Sequence, residues 1–394
     1  MELARRSNIF PSLTLAMNTK AKQMKAKGID VISFAAGEPD FPTPRHVKDA
    51  GIRAIEENKT YYTPASGIIE LKREVVRKLK ADNGLDYTTE QITINSGAKH
   101  SVFNVLAVLI EEGDEVIIPA PYWVSYSEMV RILGGKNIII PTTEDSGFKI
   151  TPEDLDRVMG PRTKVFLLNS PCNPTGSVYS REELFSLAEY LEPRDVVIIS
   201  DEIYEKILYD GKTHESIARY SENVKNKTVV INGVSKSFSM TGWRIGYAAG
   251  PVEIINAVNT LQGHTSGNPT SISQWAGLEA LRGDFGFFGS RIEEFRRRRD
   301  YIVGELNSIP GISCGKPEGA FYAFPNVSRL FGRVFQGIEM KDSVGIADYL
   351  LEYGKIAVVP GKAFGADNYI RISFATSMEN IIEGIKRLKE SLLV

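Results

Sequence analysis

Residues 233–246, GVSKSFSMTGWRIG, place a lysine and an arginine where they could share one pocket. Lys236 has small neighbours and follows an apolar, β-branched run, which predicts a position at the end of a buried strand. A desolvated lysine can lose its proton and attack an aldehyde as a neutral amine. Arg244 could pair bidentately with a phosphate beside the same pocket. A lysine taken alone would instead be read as a surface ion-pair residue.

Two further polar clusters also follow apolar runs. Asp201 comes just after the run at residues 196–199 and could place a carboxylate against a protonated ring nitrogen. On its own, Asp201 could equally be a helix N-cap. Residues 169–176, NSPCNPTG, would ordinarily form a Pro-rich turn, and Cys172 within them is interpreted as a packing residue rather than a nucleophile.

Three other positions are ambiguous without context. Arg371 lies in the apolar stretch YIRISF, where a buried arginine must find an anion, although a structural ion pair would also satisfy it. The Ser-Gly-Ala at residues 96–98 comes where a predicted strand turns into a helix, so its backbone N–H groups could cradle a phosphate. Trp123 alone would be assigned to a core or an interface.

The elements that must position these residues form an alternating pattern. Short apolar runs at residues 92–95, 115–118, 165–168, 196–199 and 229–231 are separated by longer helical stretches. Such runs predict strands buried on both faces of a mainly parallel sheet. Open α/β sheets bind ligands beyond the carboxyl ends of their strands, where four of the polar clusters fall.

Helical and short strand patterns alternate again beyond residue 280 and indicate a smaller α+β domain. The first 45 residues are expected to pack with it. The predicted domains are therefore residues 46–280, a large cofactor-binding domain, and residues 1–45 with 281–394, a small domain with an N-terminal arm.

Together these motifs resemble fold-type I enzymes that use pyridoxal 5′-phosphate (PLP), specifically class I/II aminotransferases of the bacterial aspartate aminotransferase type. The resemblance covers nearly the whole chain and implies an α/β fold with a mainly parallel seven-stranded sheet between helices. It implies cofactor contacts from Lys236, Ser96, Gly97, Ala98, Trp123, Asn173, Asp201, Tyr204, Ser235, Arg244 and Tyr62. It implies substrate contacts from Gly37, Trp123, Asn173, Arg371 and Lys99, and no metal.

The resemblance also implies individual roles. Lys236 would hold PLP as a Schiff base and carry the proton, Asp201 would face the pyridine nitrogen, and Tyr204 would bind the phenolic oxygen. Arg371 would bind the substrate α-carboxylate. Tyr62 would reach the phosphate of a neighbouring subunit, which makes the protein a homodimer with shared sites; packing of a surface turn is the alternative.

The chain departs from the family pattern at several positions. Gly233 stands where many relatives have a hydroxyl residue that touches phosphate, although Ser235 or Ser96 could compensate. Residues 262–274 lack the arginine that one subgroup uses for the distal carboxylate. Lys99 is the candidate for that task, as in a bacterial subgroup with Gly-Ala-Lys here. Phe10 replaces a lysine that assists prephenate binding, which argues against that activity.

The leading functional hypothesis is aspartate:2-oxoglutarate transamination by a ping-pong route. The alternatives are an aminotransferase for alanine, aromatic amino acids or prephenate, and a PLP-dependent C–S β-lyase. A PLP-sensing regulator without catalysis is a further alternative, but no helix-turn-helix pattern precedes the large domain.

Composition excludes other classes. A net charge of -2 gives no general attraction for nucleic acid or an anionic membrane. The arginine run at residues 296–299 follows two glutamates and is interpreted as a solvated, salt-bridged helix face. Two cysteines cannot form a disulfide framework, and no apolar segment follows Arg5-Arg6 as in a signal peptide. A cytoplasmic protein that acts on small molecules is expected.

Overall fold

The structure, a computed structural model, describes residues 4–7 and 9–392, except for the side chain of Arg5. The α-helices are α1 (Leu13–Ala26), α2 (Arg45–Glu56), α3 (Ile69–Asn83), α4 (Ala98–Leu109), α5 (Ser125–Ile132), α6 (Pro152–Asp156), α7 (Arg181–Leu191), α8 (Glu222–Lys225), α9 (Val252–Thr265), α10 (Ser271–Arg282), α11 (Phe287–Asn307), α12 (Ser343–Glu352) and α13 (Met378–Leu392). Short 3-10 helices span Arg5–Ser7, Thr89–Gln91, Glu144–Ser146, Ile217–Arg219, Thr241–Trp243, Ser328–Leu330 and Gly361–Phe364.

The strands are β1 (Ile32–Ser33), β2 (Ile92–Asn95), β3 (Glu115–Ala120), β4 (Lys136–Pro141), β5 (Thr163–Asn169), β6 (Val197–Asp201), β7 (Thr228–Gly233), β8 (Gly246–Ala249), β9 (Tyr322–Ala323), β10 (Val334–Phe335), β11 (Ile338–Glu339), β12 (Ile356–Ala357), β13 (Val359–Pro360) and β14 (Ile370–Ser373). The five apolar runs read as strands all lie in or overlap the central sheet.

The central sheet has seven strands in the order β2-β8-β7-β6-β5-β3-β4. Strand β8 is antiparallel to both of its neighbours, and the remaining pairs are parallel. Every residue of β2, β7 and β8 is buried, as expected for strands covered by helices on both faces. The predicted α/β fold with a mainly parallel sheet is therefore confirmed.

The register of the sheet brings the polar clusters to one edge. Asn169 at the end of β5 pairs with Asp201 at the end of β6, and Asp201 pairs with Ile231 near the end of β7. At the other side of β7, Gly233 pairs with Gly246 at the start of β8. Loops that leave these ends must therefore meet above the same part of the sheet.

The C-terminal part forms a second layer of structure with the N-terminal helix. Strand β1 pairs in parallel with β12, while β13, β14 and β9 form an antiparallel sheet. One apolar core joins Met17 of α1 to Phe295, Ile346 and Ile385 of α11, α12 and α13. The predicted domain limits stay a prediction, and residues 1–3, 8 and 393–394 of the predicted small domain lie outside the described residues.

The interpretation of residues 296–299 as a solvated face is wrong for half of the run. Arg296 is partly exposed and Arg297 is exposed, and both pair with glutamates one turn earlier on α11. Arg298 and Arg299 are buried, and they pair with Asp40 and Asp210 respectively. Consecutive residues on a helix point in different directions, so one run of charged residues can lie partly on the solvent-exposed face of the helix and partly on its buried face.

Within the described part of the chain, no helix combines the length and the apolar composition needed to cross a membrane. The two cysteines, Cys172 and Cys314, are both free and buried.

Candidate active site

A cleft of about 290 Å³ lies above the strand ends of the central sheet. It brings together most of the residues predicted from the sequence: Gly37, Ala98, Lys99, Trp123, Asn173, Asp201, Tyr204, Ser235, Lys236, Arg244 and Arg371. Ser96 and Gly97 lie beside it, next to Arg244. Tyr62 does not contribute to this cleft in its own chain, because its side chain is 97% exposed.

Lys236 lies three residues beyond the end of β7 and faces the cleft. Its Nζ donates a hydrogen bond to the backbone oxygen of Gly37 at 2.6 Å. Burial lowers the pKa of Lys236 to about 8, and the charges of Arg371 and Arg244 act in the same direction. With that pKa of about 8, roughly a tenth of the amine is neutral at pH 7, and the neutral amine is the form that acts as a nucleophile.

Asp201 ends β6 and is buried beside that lysine. Its Oδ2 accepts a hydrogen bond from Tyr126 Oη at 2.6 Å, and its Oδ1 accepts one from the backbone N–H of Ile203 at 3.2 Å. Burial raises the pKa of Asp201 to about 6, against the opposing effect of the Tyr126 hydrogen bond. The ionised carboxylate is costly here unless a cation or a protonated ring nitrogen faces it.

Arg371, on β14, is a buried guanidinium with an exposed fraction of 2%. It donates to Asn173 Oδ1 at 3.0 Å and to the backbone oxygen of Ala35 at 2.9 Å. Among the described residues no carboxylate pairs with it, and its Nε has no hydrogen-bond partner. A buried cation that lacks a counter-ion is costly, so this geometry provides a site for an anion.

A second anion site surrounds the start of α4. The amides in the first turn of a helix have no acceptor within the helix and can bind phosphate. Arg244 lies against Gly97, whose φ is 87° and whose missing Cβ would come within 2.5 Å of the guanidinium. The guanidinium is held by the backbone oxygens of Thr241, at 2.7 Å, and Ser96, at 3.4 Å.

Lys99 and Thr14 also line the cleft. The ammonium of Lys99 is 5.0 Å from the centre of the Trp123 ring, and no acidic side chain in the described residues pairs with it. Burial, and secondarily the charge of Arg244, lowers the pKa of Lys99. The Oγ1 of Thr14 is buried without a hydrogen-bond partner. Both groups are suited to bind the oxygen atoms of a ligand.

A model of the family described as aminotransferase class I and II matches residues 29–388. The chain belongs to the class I and II aminotransferases. The aspartate aminotransferase of Bacillus subtilis (strain 168) is 47% identical over 390 residues, which are 99% of this chain and 98% of that protein. The aspartate/prephenate aminotransferase of Nitrosomonas europaea is 45% identical over 396 residues, 100% of each chain.

A solved structure supports the same conclusion. The crystal structure of the aspartate aminotransferase from Rhizobium meliloti matches with a TM-score of 0.96 and 43% identity, over 100% of this chain and 98% of that one. The predicted family and reaction class are confirmed: the chain is a PLP-dependent aminotransferase. The roles of individual site residues stay predictions.

Six residues that line the cleft of this aminotransferase were not predicted as site residues from the sequence: Thr14, Tyr126, Asn169, Ile203, Thr241 and Tyr322. Asn169 ends the motif-bearing strand β5, and its Oδ1 accepts from the backbone N–H of Asn173 at 2.9 Å. Its position at a strand end was a usable signal. The two tyrosines lie in apolar surroundings and have no spacing signal that separates them from core residues.

Proposed function

We propose that this aminotransferase transfers amino groups between aspartate or glutamate and the matching 2-oxo acids, with PLP held by Lys236. One observation carries the proposal: the cleft holds Lys236, which has a lowered pKa, together with two cations, Arg371 and Lys99. Neither of these two cations has a counter-ion among the described residues. A dicarboxylic substrate would neutralise both cations at once.

The residues of the cleft fit PLP. Arg244 and the first turn of α4 suit its phosphate, and Gly97 leaves the space that the guanidinium occupies. Asp201 is buried, and burial disfavours its ionised carboxylate, so a protonated pyridine nitrogen would be a suitable partner for it. Trp123 packs edge-on against Tyr126, with ring centres 5.1 Å apart, and would cover the ring. Tyr204 and Asn173 offer donors for the phenolic oxygen.

When bound, PLP supplies an aldehyde for the amino group and a protonated ring that accepts electrons from the substrate α-carbon. Lys236 would hold PLP through the aldehyde carbon, and its amine would be the group that carries the proton taken from the substrate α-carbon. Arg371 would hold the α-carboxylate, and the backbone of Gly37 would approach it closely because glycine has no side chain. Ionised Asp201 would keep the ring nitrogen protonated.

Lys99 is the proposed determinant of specificity for dicarboxylates. Replacing Lys99 with alanine is expected to raise KM for aspartate and glutamate about tenfold, because the ion pair with the distal carboxylate is lost. KM for aromatic amino acids should change little. Steady-state kinetics on a panel of amino donors measures the difference.

The control for that experiment is Lys80→Ala, which removes a lysine whose ion pair with Asp86 is exposed. It should leave KM unchanged for every donor. An equal rise of KM for dicarboxylic and aromatic donors in Lys99→Ala would refute the assignment of Lys99.

Prephenate is a second candidate substrate, because the relative from Nitrosomonas europaea is named an aspartate/prephenate aminotransferase. Phe10 argues against it: its side chain is 70% exposed and contacts Arg131, with the guanidinium 4.6 Å from the ring centre. An aromatic side chain offers no charge to a second carboxylate. Including prephenate as an amino acceptor in the panel tests this candidate directly.

A cytoplasmic location is proposed for the protein. The two buried free thiols agree with a reducing compartment, in which structural disulfides are rare. Trapping the thiols with an alkylating reagent in lysed cells would show whether they stay reduced.

A further inference from the structure

Tyr322, which no sequence motif indicated, contacts several of the proposed cofactor-binding and substrate-binding residues. It lies on β9, is completely buried, and lines the cleft. Its Oη is 2.8 Å from the Oη of Tyr204, and its ring lies 4.4 Å from the guanidinium carbon of Arg371. Its Oη is also the nearest atom, at 3.2 Å, to the Cβ that Gly37 lacks.

The main chain holds Tyr322 firmly in this place. Strand β9 pairs with β14, the strand that carries Arg371, and Tyr322 is opposite Ser373 in that ladder. The Tyr204 ring packs edge-on against the Tyr322 ring with centres 5.8 Å apart. The phenol pair is therefore fixed by backbone hydrogen bonds on one side and by ring packing on the other.

The direction of the hydrogen bond between the two phenols follows from the proton count. Burial raises the pKa of both Tyr204 and Tyr322, so each oxygen keeps its single proton at neutral pH. If Tyr204 donates that proton to the phenolic oxygen of PLP, it has none left for Tyr322. Tyr322 must then donate, and Tyr204 accepts.

We propose that Tyr322 is a positioning residue that fixes Tyr204 as the hydrogen-bond donor to the cofactor. This inference rests on the proposed function. A hydroxyl that accepts a hydrogen bond becomes a stronger donor, so the Tyr322 hydroxyl strengthens the bond that Tyr204 makes. That bond withdraws negative charge from the phenolic oxygen and thereby lowers the pKa of the Lys236 nitrogen joined to PLP.

The competing view is that Tyr322 only supports Arg371 by packing. The variant Tyr322→Phe separates the two roles, because it keeps the ring under the guanidinium and removes only the hydroxyl. The charged groups that face the phenol pair are Arg371, Asp201, Glu38 and Lys236, and this variant leaves all four in place.

The experiment titrates the visible absorbance of the holoenzyme with pH, which reports protonation of the Lys236 nitrogen. Tyr322→Phe is expected to titrate at a pH higher by about 0.5–1 unit, the effect of one neutral hydrogen bond. Tyr204→Phe should shift further in the same direction. The double variant should titrate like Tyr204→Phe alone, because Tyr322 acts through Tyr204.

Two controls distinguish this role from general damage. Tyr349→Phe removes another buried phenol hydroxyl, which donates to the backbone oxygen of Ser391 at 2.9 Å, and should titrate like the wild type. The Kd of maleate, a non-reacting dicarboxylate, should stay within about twofold in Tyr322→Phe when both proteins are compared at a pH well above their titrations, because the ring under Arg371 remains.

The outcomes separate this inference from the proposed function. An unshifted titration in a yellow Tyr322→Phe holoenzyme would overturn the inference and leave the proposed function standing. An additional shift in the double variant, or a large loss of maleate affinity in Tyr322→Phe, would also overturn it. A wild-type protein that takes up no PLP would overturn both.

Discussion

The side chains that distinguish the candidate active site are ionisable groups that lack a partner of opposite charge or are partly neutralised by burial. Asp201 is buried with a pKa raised to about 6, and Lys236 is partly buried with a pKa lowered to about 8. Arg371 has no carboxylate partner among the described residues. Each of these groups reduces the stability of the empty protein, and each would gain a partner when cofactor or substrate binds.

The loss of stability caused by the buried carboxylate of Asp201 can be tested by changing the pH. The pKa of Asp201 is higher in the folded protein than in the unfolded chain, so folding favours the protonated acid. The loss of folding stability caused by ionised Asp201 is therefore absent below about pH 4 and complete well above pH 6. Asp201→Asn should therefore raise the free energy of unfolding of the apoprotein by about 1–3 kcal/mol at pH 8 and by less at pH 5. Urea denaturation at the two pH values measures this.

The matched control for Asp201 is Asp210→Asn, which should have the opposite effect. The hydrogen bond and charge of Arg299 hold the pKa of Asp210 below its ordinary value, so this carboxylate stabilises the fold at pH 8. A less stable Asp201→Asn apoprotein at pH 8 would contradict the interpretation of Asp201.

Residues carried by a local motif could be predicted from the sequence, and residues defined by distant packing could not. Lys236, Asp201 and Asn173 follow apolar runs in short distinctive segments, and all three line the cleft. Tyr126 and Tyr322 resemble core aromatic residues in the sequence. Their hydroxyls acquire a role only because the fold places them against Asp201 and Tyr204.

At the scale of elements, the anion site at α4 depends on two glycines that allow a strand, a helix and a loop to approach closely. Gly97 precedes α4 in a conformation that other residues rarely adopt, and Arg244 occupies the space beside it. A Cβ on Gly246, at the start of β8, would overlap the backbone of Ala98. The start of the helix and the arginine therefore meet only because both side chains are missing.

Gly97→Ala tests this arrangement. The left-handed backbone should cost about 1–2 kcal/mol of stability, and displacement of Arg244 should weaken PLP binding about tenfold or more. Gly113→Ala is the control, because Gly113 has a similar φ of 90° with no atom within 4 Å of the added Cβ. Equilibrium dialysis should show normal PLP affinity in the control variant. An equal loss of PLP affinity in both variants would contradict this account of the anion site at α4.

Element types and strand ends were predictable, but the rotation of individual helices was not. The period of α11 does not reveal that Arg298 and Arg299 turn inward, because their partners Asp40 and Asp210 lie far away in the sequence. Similarly, the apolar stretch around Arg371 predicts a buried arginine. It does not show that Asn173, 198 residues earlier, accepts its hydrogen bond.

At the scale of the whole molecule, Tyr62 lies on the surface and does not line the cleft of its own chain. Tyr61 and Tyr62 are 78% and 97% exposed, although the loop that carries them is anchored. Ser271 donates to the backbone oxygen of Tyr61 at 2.6 Å, and Gln274 donates to Thr63 at 3.0 Å. A rigid loop with an exposed aromatic pair is typical of an interface, which supports the predicted homodimer with shared sites.

Mixing two defective variants tests the shared site. A Lys236→Ala chain and a Tyr62→Ala chain, refolded together in equal amounts, should form hybrid dimers with one intact site each. Activity should then rise to about one quarter of the wild-type value, since half of randomly paired dimers are hybrids. Activity no greater than the average of the two separate variants would contradict the sharing of Tyr62.

The most direct test of the central claim is to find where PLP attaches. Holoenzyme is reduced with borohydride, digested, and mapped by mass spectrometry, with Lys236→Ala treated in parallel. The account predicts one PLP per chain, fixed to Lys236 and to neither Lys99 nor any other lysine, and none fixed in the variant. A label on a different residue, or a wild-type protein that binds no PLP, would contradict it.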